Sequence, residues 1–379
     1  MSASQENQET LRMPVRPGWL ASRWSRLNGP QRVAGVDLAR GLAVLGMLAA
    51  HLLWIEDPFA WQDASTWVVV VEGRSSILFA TLAGVSIGLV TGGGAPLRGE
   101  AMRTARFRLA VRALILWVIG ILLILTGVPV YVILPAYALL FLLALPLVSL
   151  PARVLLPLAA MLAIVMPFVQ AGLDELPLWR TIPGNDLSLA IGWHYPFPLW
   201  IVFVVAGLGI ARAGIGRLSV QLWALAVGGS LAVVAYGVDA ATGVDEASEH
   251  LSFWGAVWTA RPHSSGLLEA LGSGGFALAV IAACLLACRT VIVWVVLPLR
   301  AVGAMPLTAY VGQIVVWAVV AGTVLGDTGD LGGFRDLGPY APLTLWTIVA
   351  CTAWALLVGR GPLEWVVDRV ARLLVPERP

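Results

Sequence analysis

Lysine is missing from this chain: all 24 basic residues among its 379 are arginines, which excludes Schiff-base chemistry on a lysine amine. Charge of either sign is scarce. Only 12% of the residues are charged, against about a quarter in an ordinary soluble protein. The net charge of +2 carries no partner signal, and no nucleic acid is expected. Cysteine is nearly absent. Cys284, Cys288 and Cys351 all fall in apolar runs, without the spacing of a disulfide framework or a zinc site, so no metal is expected. Cys284 and Cys288 share a helix face as small packing residues. The glycine run "TGGGAP" (Thr91–Pro96) lacks the Lys and Ser/Thr of a phosphate loop. No cleavable secretory leader is expected before the first apolar run, which itself contains Asp37 and Arg40.

What the chain does have is apolar length. Hydrophobic residues make up 59% of it, in continuous rather than alternating runs, which points to membrane helices and away from a β-barrel. The 40 glycines and 23 prolines suit such helices. The expected fold is an all-α integral membrane protein of about ten transmembrane helices. The runs are 34–54, 67–91, 109–128, 130–150, 153–170, 196–215, 219–240, 266–288, 302–325 and 342–360. Residues 1–33 are expected to be a cytoplasmic tail, partly disordered, with Gly18–Leu27 suited to the membrane surface. Residues 34–360 form the polytopic membrane domain, and 361–379 a short amphipathic C-terminal helix at the interface. The stretch "TVIVWVVLPL" (Thr290–Leu299) is too short to cross and reads as an interfacial or re-entrant piece. Under this map only Arg180, Arg261 and Arg335 lie on one side, Arg40 and Arg74 lie within spans, and every other arginine lies with the termini. Both termini are therefore expected in the cytoplasm, and the chain in the plasma membrane.

A few groups stand where lipid does not tolerate them. The first run, "AGVDLARGLAVLGMLAAHLL", carries Asp37, Arg40 and His51. Arg40 and His51 are eleven positions apart, close to three helical turns, and Asp37 lies one turn from Arg40. One stripe of this helix is thus polar at both ends and faces a cavity or polar neighbours. The second run carries Glu72 and Arg74, then Ala80, Gly84 and Gly88 at a spacing of four, which admits a close helix neighbour. If the first two spans are adjacent, His51, Glu72 and Arg74 lie at one level. They then supply a base or nucleophile, an orienting acid and a fixed cation, the parts of an acyl- or proton-transfer site. The plainer reading is a set of structural ion pairs. His263, Glu269 and Trp258 lie near the start of the eighth span, where they read either as interfacial residues or as one wall of an acceptor site. His194 and His250 lie in outer loops. Between Arg98 and Arg112 a basic loop includes Arg103 and Arg106, explained by topology or by a polyanionic cofactor such as coenzyme A. The runs "LAGVSIGL" near Ala83 and "VAGLGIAR" near Ala206 echo one another weakly.

Several of these stretches, in order, cover most of the chain with one likeness. "RVAGVDLARGLAVLGM", with its Asp-x-x-Arg-Gly core, resembles the first span of bacterial, actinobacterial-type relatives of heparan-α-glucosaminide N-acetyltransferase. "GRSSILFATLAGVSIGLVTGG" is similar to their second span. "RPHSSGLLEALGSGGFALAV", "AVGAMPLTAY" and "GPLEWVVDRV" are similar to later blocks. The resemblance implies a membrane acyltransferase that moves an acyl group, typically acetyl, from cytosolic acetyl-CoA or another acyl-CoA to an outer hydroxyl or amine, such as one on an envelope glycan or lipid. It assigns Asp37 and Arg40 to the donor side, where the coenzyme A reading of the basic loop also puts Arg103 and Arg106. It places the reactive histidine in the outer loop between the first two spans. Here loop 55–66 has no histidine; His51 is nearest, and His263 is the alternative. A transporter or flippase of the same fold is the competing reading. The bilayer, the acyl donor and the acceptor are the expected partners, and a homodimer stays open.

Overall fold

In the computed structural model, described for residues 19, 27–29, 32–55, 59–242 and 251–376, the described chain is all helix and connection, without strands. The proposed membrane-surface stretch within 18–27 and His250 fall largely or wholly outside the described residues. Among the described residues, eight helices are long and apolar enough to cross a membrane: α1 (Ala34–Leu52), α3 (Gly99–Ile124), α5 (Ala152–Asp174), α7 (Phe197–Gly214), α8 (Leu218–Thr242), α9 (Leu267–Ala287), α11 (Pro306–Val320, extended by a wider turn to Leu325) and α12 (Tyr340–Leu357). A ninth crossing is a bent pair, a 3₁₀ segment Ala64–Val71 joined to α2 (Arg74–Val90) at 40°. The tenth expected span is the short α4 (Leu134–Ala144). The remaining helices named below are α6 (Ile182–Ile191), α10 (Leu297–Ala304) and α13 (Pro362–Leu374).

Three expectations need correcting. The second span is not one straight helix. Gly73 takes φ 65° and breaks it, so Arg74 starts α2 instead of lying seven residues inside it. The third helix begins at Gly99, about three turns before the apolar run, and carries the whole basic loop as helix surface. The ninth span starts at Pro306, because proline fits the first turn of a helix but not its interior. The Thr290–Leu299 stretch is non-crossing, as its length requires; it holds a one-turn helix Ile292–Val295 and the start of α10.

Small residues decide which helices touch. A methyl group on Gly84 would overlap the Val204 carbonyl, and one on Gly207 would overlap the Thr81 carbonyl. The two runs that echo one another in sequence are thus the two faces of the α2–α7 crossing, brought to backbone contact by the small-residue spacing. Gly41 and Gly303 do the same for α1 and α10: methyl groups there would meet the carbonyls of Leu299 and Asp37. The glycine of the Asp-x-x-Arg-Gly core is therefore a packing residue. α1 and α7 are buried along most of their length, whereas α5 and α8 show Ile164, Val165, Val233 and Val234 to the outside. That apolar exterior is what a hydrocarbon solvent requires.

At the end that holds both termini, Arg300 is 1% exposed and donates to the Leu27 carbonyl and Asn28 Oδ1. Arg212 is also buried, and its guanidinium donates to the carbonyls of Gly88, Gly93 and Val148 and to Thr91 Oγ1. Five donors in a planar fork let one arginine pin the glycine-rich turn after α2 to the end of the α4 segment. The amphipathic α13 packs on α3. Its buried edge is Val367, Asp368 and Ala371, while Trp365, Val366 and Leu374 are exposed. Asp368 holds it down through Arg112 and Arg360, both at 2.7 Å, and pairs within the helix with Arg372 at 2.8 Å.

Candidate functional site

At the end away from the termini, the fold gathers five segments that are far apart in sequence. His51 comes from the last turn of α1, His194 from the turn before α7, and His263 from the loop before α9. The His194 and His263 rings lie 4.7 Å apart, and His194 stacks on Tyr131 at 3.7 Å. Tyr195 meets both imidazoles edge-on, at 5.1 and 5.6 Å. His51 is within electrostatic reach of His194 and His263. Its carbonyl accepts two bonds from Arg335, at 3.0 and 2.9 Å, and Arg335 also covers the Trp54 ring at 4.8 Å. Burial first, then the neighbouring His194 and His51, pull the His263 pKa down to about 3. Burial pulls His194 down to about 4. Both imidazoles are therefore neutral at neutral pH, with a lone pair available. His263 Nδ1 is buried and has no hydrogen-bond partner.

Glu269 fixes the loop that carries His263. It stands at the third position of α9 and is 3% exposed. Its carboxylate accepts the backbone N–H of His263 at 2.6 Å, that of Ser265 at 2.6 Å and the Ser264 hydroxyl at 3.2 Å. An acid in the first turn is the right charge for the free N–H groups there. His263 and Ser265 adopt φ of 62° and 60°, a region costly for residues with a Cβ. The charge-assisted bonds offset that strain and hold the imidazole in place.

Arg74 joins this wall through Tyr236 and the Val69 carbonyl. Its guanidinium donates to Tyr236 Oη at 2.7 Å and to the Val69 carbonyl at 3.1 Å, and lies 4.6 Å over the Tyr236 ring. Tyr236 in turn shares a 2.7 Å bond with Ser273. Glu269 is within electrostatic reach of Arg74. The break at Gly73 turns Arg74 toward α8 and α9, and Glu72 stays at the bend, half-buried, with Arg74 as its charged neighbour. Trp258 is 41% exposed and donates to Thr242 Oγ1, at the rim.

A second polar group lies toward the opposite end. Arg40 bonds Asp37 at 3.1 Å and Ser86 Oγ at 2.6 Å, and Arg32 bonds Asp37 at 3.3 Å. Arg40 also lines a 140 Å³ cavity with Phe79, Ala83, Ser86, Leu116, Tyr137 and Tyr310. Below it is a 620 Å³ cleft lined by Val90, Arg108, Arg112, Arg360, Asp368 and Arg372. The two spaces follow the same helical stripes, Phe79–Ala83–Ser86–Val90 on α2 and Arg108–Arg112–Leu116 on α3, at steps of three and four. At the upper end, Tyr137 lies within electrostatic reach of Tyr195 and Tyr310. Its hydroxyl is buried without a partner. Tyr195 and His194 then line a third cavity of 410 Å³ with Tyr131 and Ser188. Polar groups therefore run from the arginine cleft to the histidines. Arg103 and Arg106 stand on another face of α3 beside a 730 Å³ surface cleft; Arg103 pairs with Glu100 at 3.2 Å, and Arg106 bonds Ser149 at 3.2 Å. Among the described residues no group of three His, Cys, Asp or Glu side chains is arranged to hold a metal.

Two family models match the sequence. The model of the heparan-alpha-glucosaminide N-acetyltransferase catalytic family fits residues 32–236, more than half of the chain. The chain belongs to this family. A second family model, of a protein of unknown function (DUF418), fits residues 217–373 and takes in the rest of the membrane region. No curated protein and no solved structure matches the chain. The N-acetyltransferase family model ends at residue 236, so His263 and Glu269 lie beyond it, while His51, Arg74, His194 and Tyr236 lie within it. Sequence reading singled out His51, Arg74, His263 and Glu269 but assigned them to separate walls. It gave no role to His194, Tyr195, Tyr236 or Arg335. The one available signal was the dense aromatic–histidine string "WHYPFPLW".

Proposed function

We propose that the protein is an integral-membrane acyltransferase that takes an acyl group, most simply acetyl, from an acyl-CoA on the termini side and passes it to a hydroxyl or amine on the other side. Membership of the acetyltransferase family supports the reaction class. The observation that carries the reading is the alignment of the arginine cleft and the Arg40 cavity along α2 and α3, with the histidine cluster at the other end of the fold. The termini side is taken as cytoplasmic because the arginines concentrate there, and the membrane as the cell membrane.

In this reading, Arg108, Arg112, Arg360 and Arg372 bind the donor's phosphates, which displace the internal carboxylate of Asp368. Arg103 and Arg106 widen the attracting field at the same surface. The narrow arm of the donor extends past Arg40 and Ser86 toward Tyr137 and Tyr310. The imidazole of His263, kept neutral by burial and held by Glu269, acts as base or brief acyl carrier. His51 and His194 complete the imidazole cluster, and the Arg74–Tyr236 pair stabilises developing negative charge. When the imidazole carries the acyl group, its nitrogen attacks the thioester carbon, the C–S bond breaks, and the imidazole proton leaves with the thiolate. The acceptor then attacks the acyl carbon, the C–N bond breaks, and the acceptor proton returns to the ring. Glu269 is a positioning residue, and neither it nor Glu72 exchanges a proton in these steps.

The test is thiol release from acetyl-CoA by purified protein in nanodiscs, with wild type, His263→Ala and His51→Ala compared. The expected result is saturable turnover that falls at least 100-fold in His263→Ala. Absence of acyl-CoA binding, or equal turnover in all three proteins, would overturn the reading.

A further inference from the structure

The 410 Å³ cavity beside His194 has a lining unlike that of a site for a water-borne ion. Ile124, Val128, Val130, Val132 and Leu189 make most of its wall, and its polar groups are Tyr131, Ser188, His194 and Tyr195. No Asp, Glu or Arg side chain lines it, so it offers no ionic partner to an ammonium or a phosphate.

Its depth is fixed by α6. The Trp117 indole donates to the carbonyl of Ala190 at 2.9 Å, which ties the end of α6 to the side of α3. Trp117 lies seven residues before Ile124, the last residue of α3, or roughly 10 Å below that end at 1.5 Å per residue. α6 therefore dips beside the membrane helix instead of standing above it. Its exposed side chains agree: Ile182 is 82% exposed, and Leu187 and Leu189 are 42% and 39% exposed. Leu189 belongs both to this outer surface and to the cavity wall, and so does Tyr131, at 56% exposure. The mouth of the cavity thus opens sideways, between α6 and the α3–α4 connection, at the level where indole N–H groups and lipid headgroups meet.

We infer that this cavity is the entry site for a membrane-borne acceptor, an uncharged amphiphile whose hydroxyl headgroup reaches His194 and His263 from the bilayer while its chains stay among Val130, Leu189 and the lipid. The inference rests on the acyl-transfer reading and names its acceptor class. The hydroxyl oxygen bonds to the acyl carbon as the bond from that carbon to sulfur or imidazole nitrogen breaks. The hydroxyl proton passes to the departing group through the imidazole, leaving an ester and a free thiol. Tyr131 and Ser188 supply the hydrogen bonds that a neutral polyol or sugar headgroup requires, and an acyl ester of such a lipid leaves by the same lateral route.

The experiment uses the full chain in phosphatidylcholine nanodiscs with two photoactivatable diazirine lipids, a diacylglycerol and a phosphatidic acid, and maps crosslinks by mass spectrometry. In parallel, radiolabelled acetyl from acetyl-CoA is followed into diacylglycerol and into glucosamine in the aqueous phase. The diacylglycerol probe is expected to label Val130, Tyr131 and Leu189 saturably and at least fivefold over phosphatidic acid. Leu189→Arg is expected to lose that labelling, whereas Ile182→Arg, on the outside of the same helix, keeps it. Label spread evenly over all lipid-facing helices, or equal labelling by the anionic probe, overturns the inference. Glucosamine acetylated with no crosslink in the cavity overturns the lipid acceptor and leaves acyl transfer standing. Saturable cavity labelling with no acetyl-CoA consumption supports the lipid site and overturns the transfer reading.

Discussion

Replacing Glu269 by glutamine tests whether a buried carboxylate holds the catalytic loop. Glu269 accepts two backbone N–H groups at 2.6 Å and one hydroxyl at 3.2 Å. Glutamine keeps one acceptor oxygen, and its amide NH₂ must face one of the two N–H donors. At least one charge-assisted hydrogen bond is lost, worth about 1.5–3 kcal/mol. The lost bond is one of those that offset the left-handed conformations of His263 and Ser265, at φ 62° and 60°. If the lost energy appears as a smaller population of the ordered loop, the active fraction falls roughly 10- to 100-fold, since 1.4 kcal/mol is a factor of ten. The assay is thiol release from acetyl-CoA in nanodiscs, together with thermal unfolding in detergent. Glu269→Gln is expected to lower kcat with little change in the KM for acetyl-CoA, because the donor cleft is at the other end of the molecule. Glu269→Asp, one methylene shorter but charged, is expected to recover part of the loss. Turnover within twofold of wild type, at unchanged thermal stability, would show that the loop does not depend on this carboxylate.

Other substitutions probe other parts. Gly207→Ala puts a methyl group into the Thr81 carbonyl, so α2 and α7 must separate at a cost of about 1–3 kcal/mol; Gly216→Ala, with open space around it, is the control, and equal melting temperatures for the two would refute the close crossing. Burial pushes the Asp368 carboxyl up, but the guanidinium groups of Arg360, Arg372 and Arg112 outweigh it and hold it below its usual range. Its contribution to stability is thus present above about pH 4 and lost as pH falls through the folded value. Asp368→Asn is expected to loosen α13, seen as faster amide exchange across residues 362–374, and to raise affinity for inorganic pyrophosphate as a mimic of the donor's phosphates; unchanged exchange would contradict the anchor. With folded pKa values of about 3 for His263 and about 4 for His194 against 6.5 unfolded, the unfolded chain takes up protons first. Stability therefore falls as pH drops from 6.5 toward those values, by up to about 1.4 kcal/mol per pH unit for each histidine. Thermal unfolding at pH 7.5 and 5 checks this, and a flat profile that His263→Gln does not alter would contradict it.

Composition and the lengths of the apolar runs were enough to name the solvent of this protein and most of its helices. Apolar runs of bilayer length with a handful of ionisable residues admit few alternatives, because unpaired backbone groups cannot be left in hydrocarbon. Asp37 and Arg40, one turn apart, announced their ion pair, and the glycine spacing in 80–88 announced a close neighbour. Local periodicity could not say which helix that neighbour was; the α2–α7 crossing depends on Gly207 finding Thr81 across more than a hundred residues. Nor could it show that Gly73 breaks the second span and swings Arg74 to Tyr236, since one left-handed residue redirects all that follows it. The imidazole cluster was the least legible feature. His51, His194 and His263 each look interfacial when taken alone, and only the packing of α1, α7 and α9 brings them together as one half-buried group. Composition sets which side chains must turn inward, but long-range packing decides which of them meet.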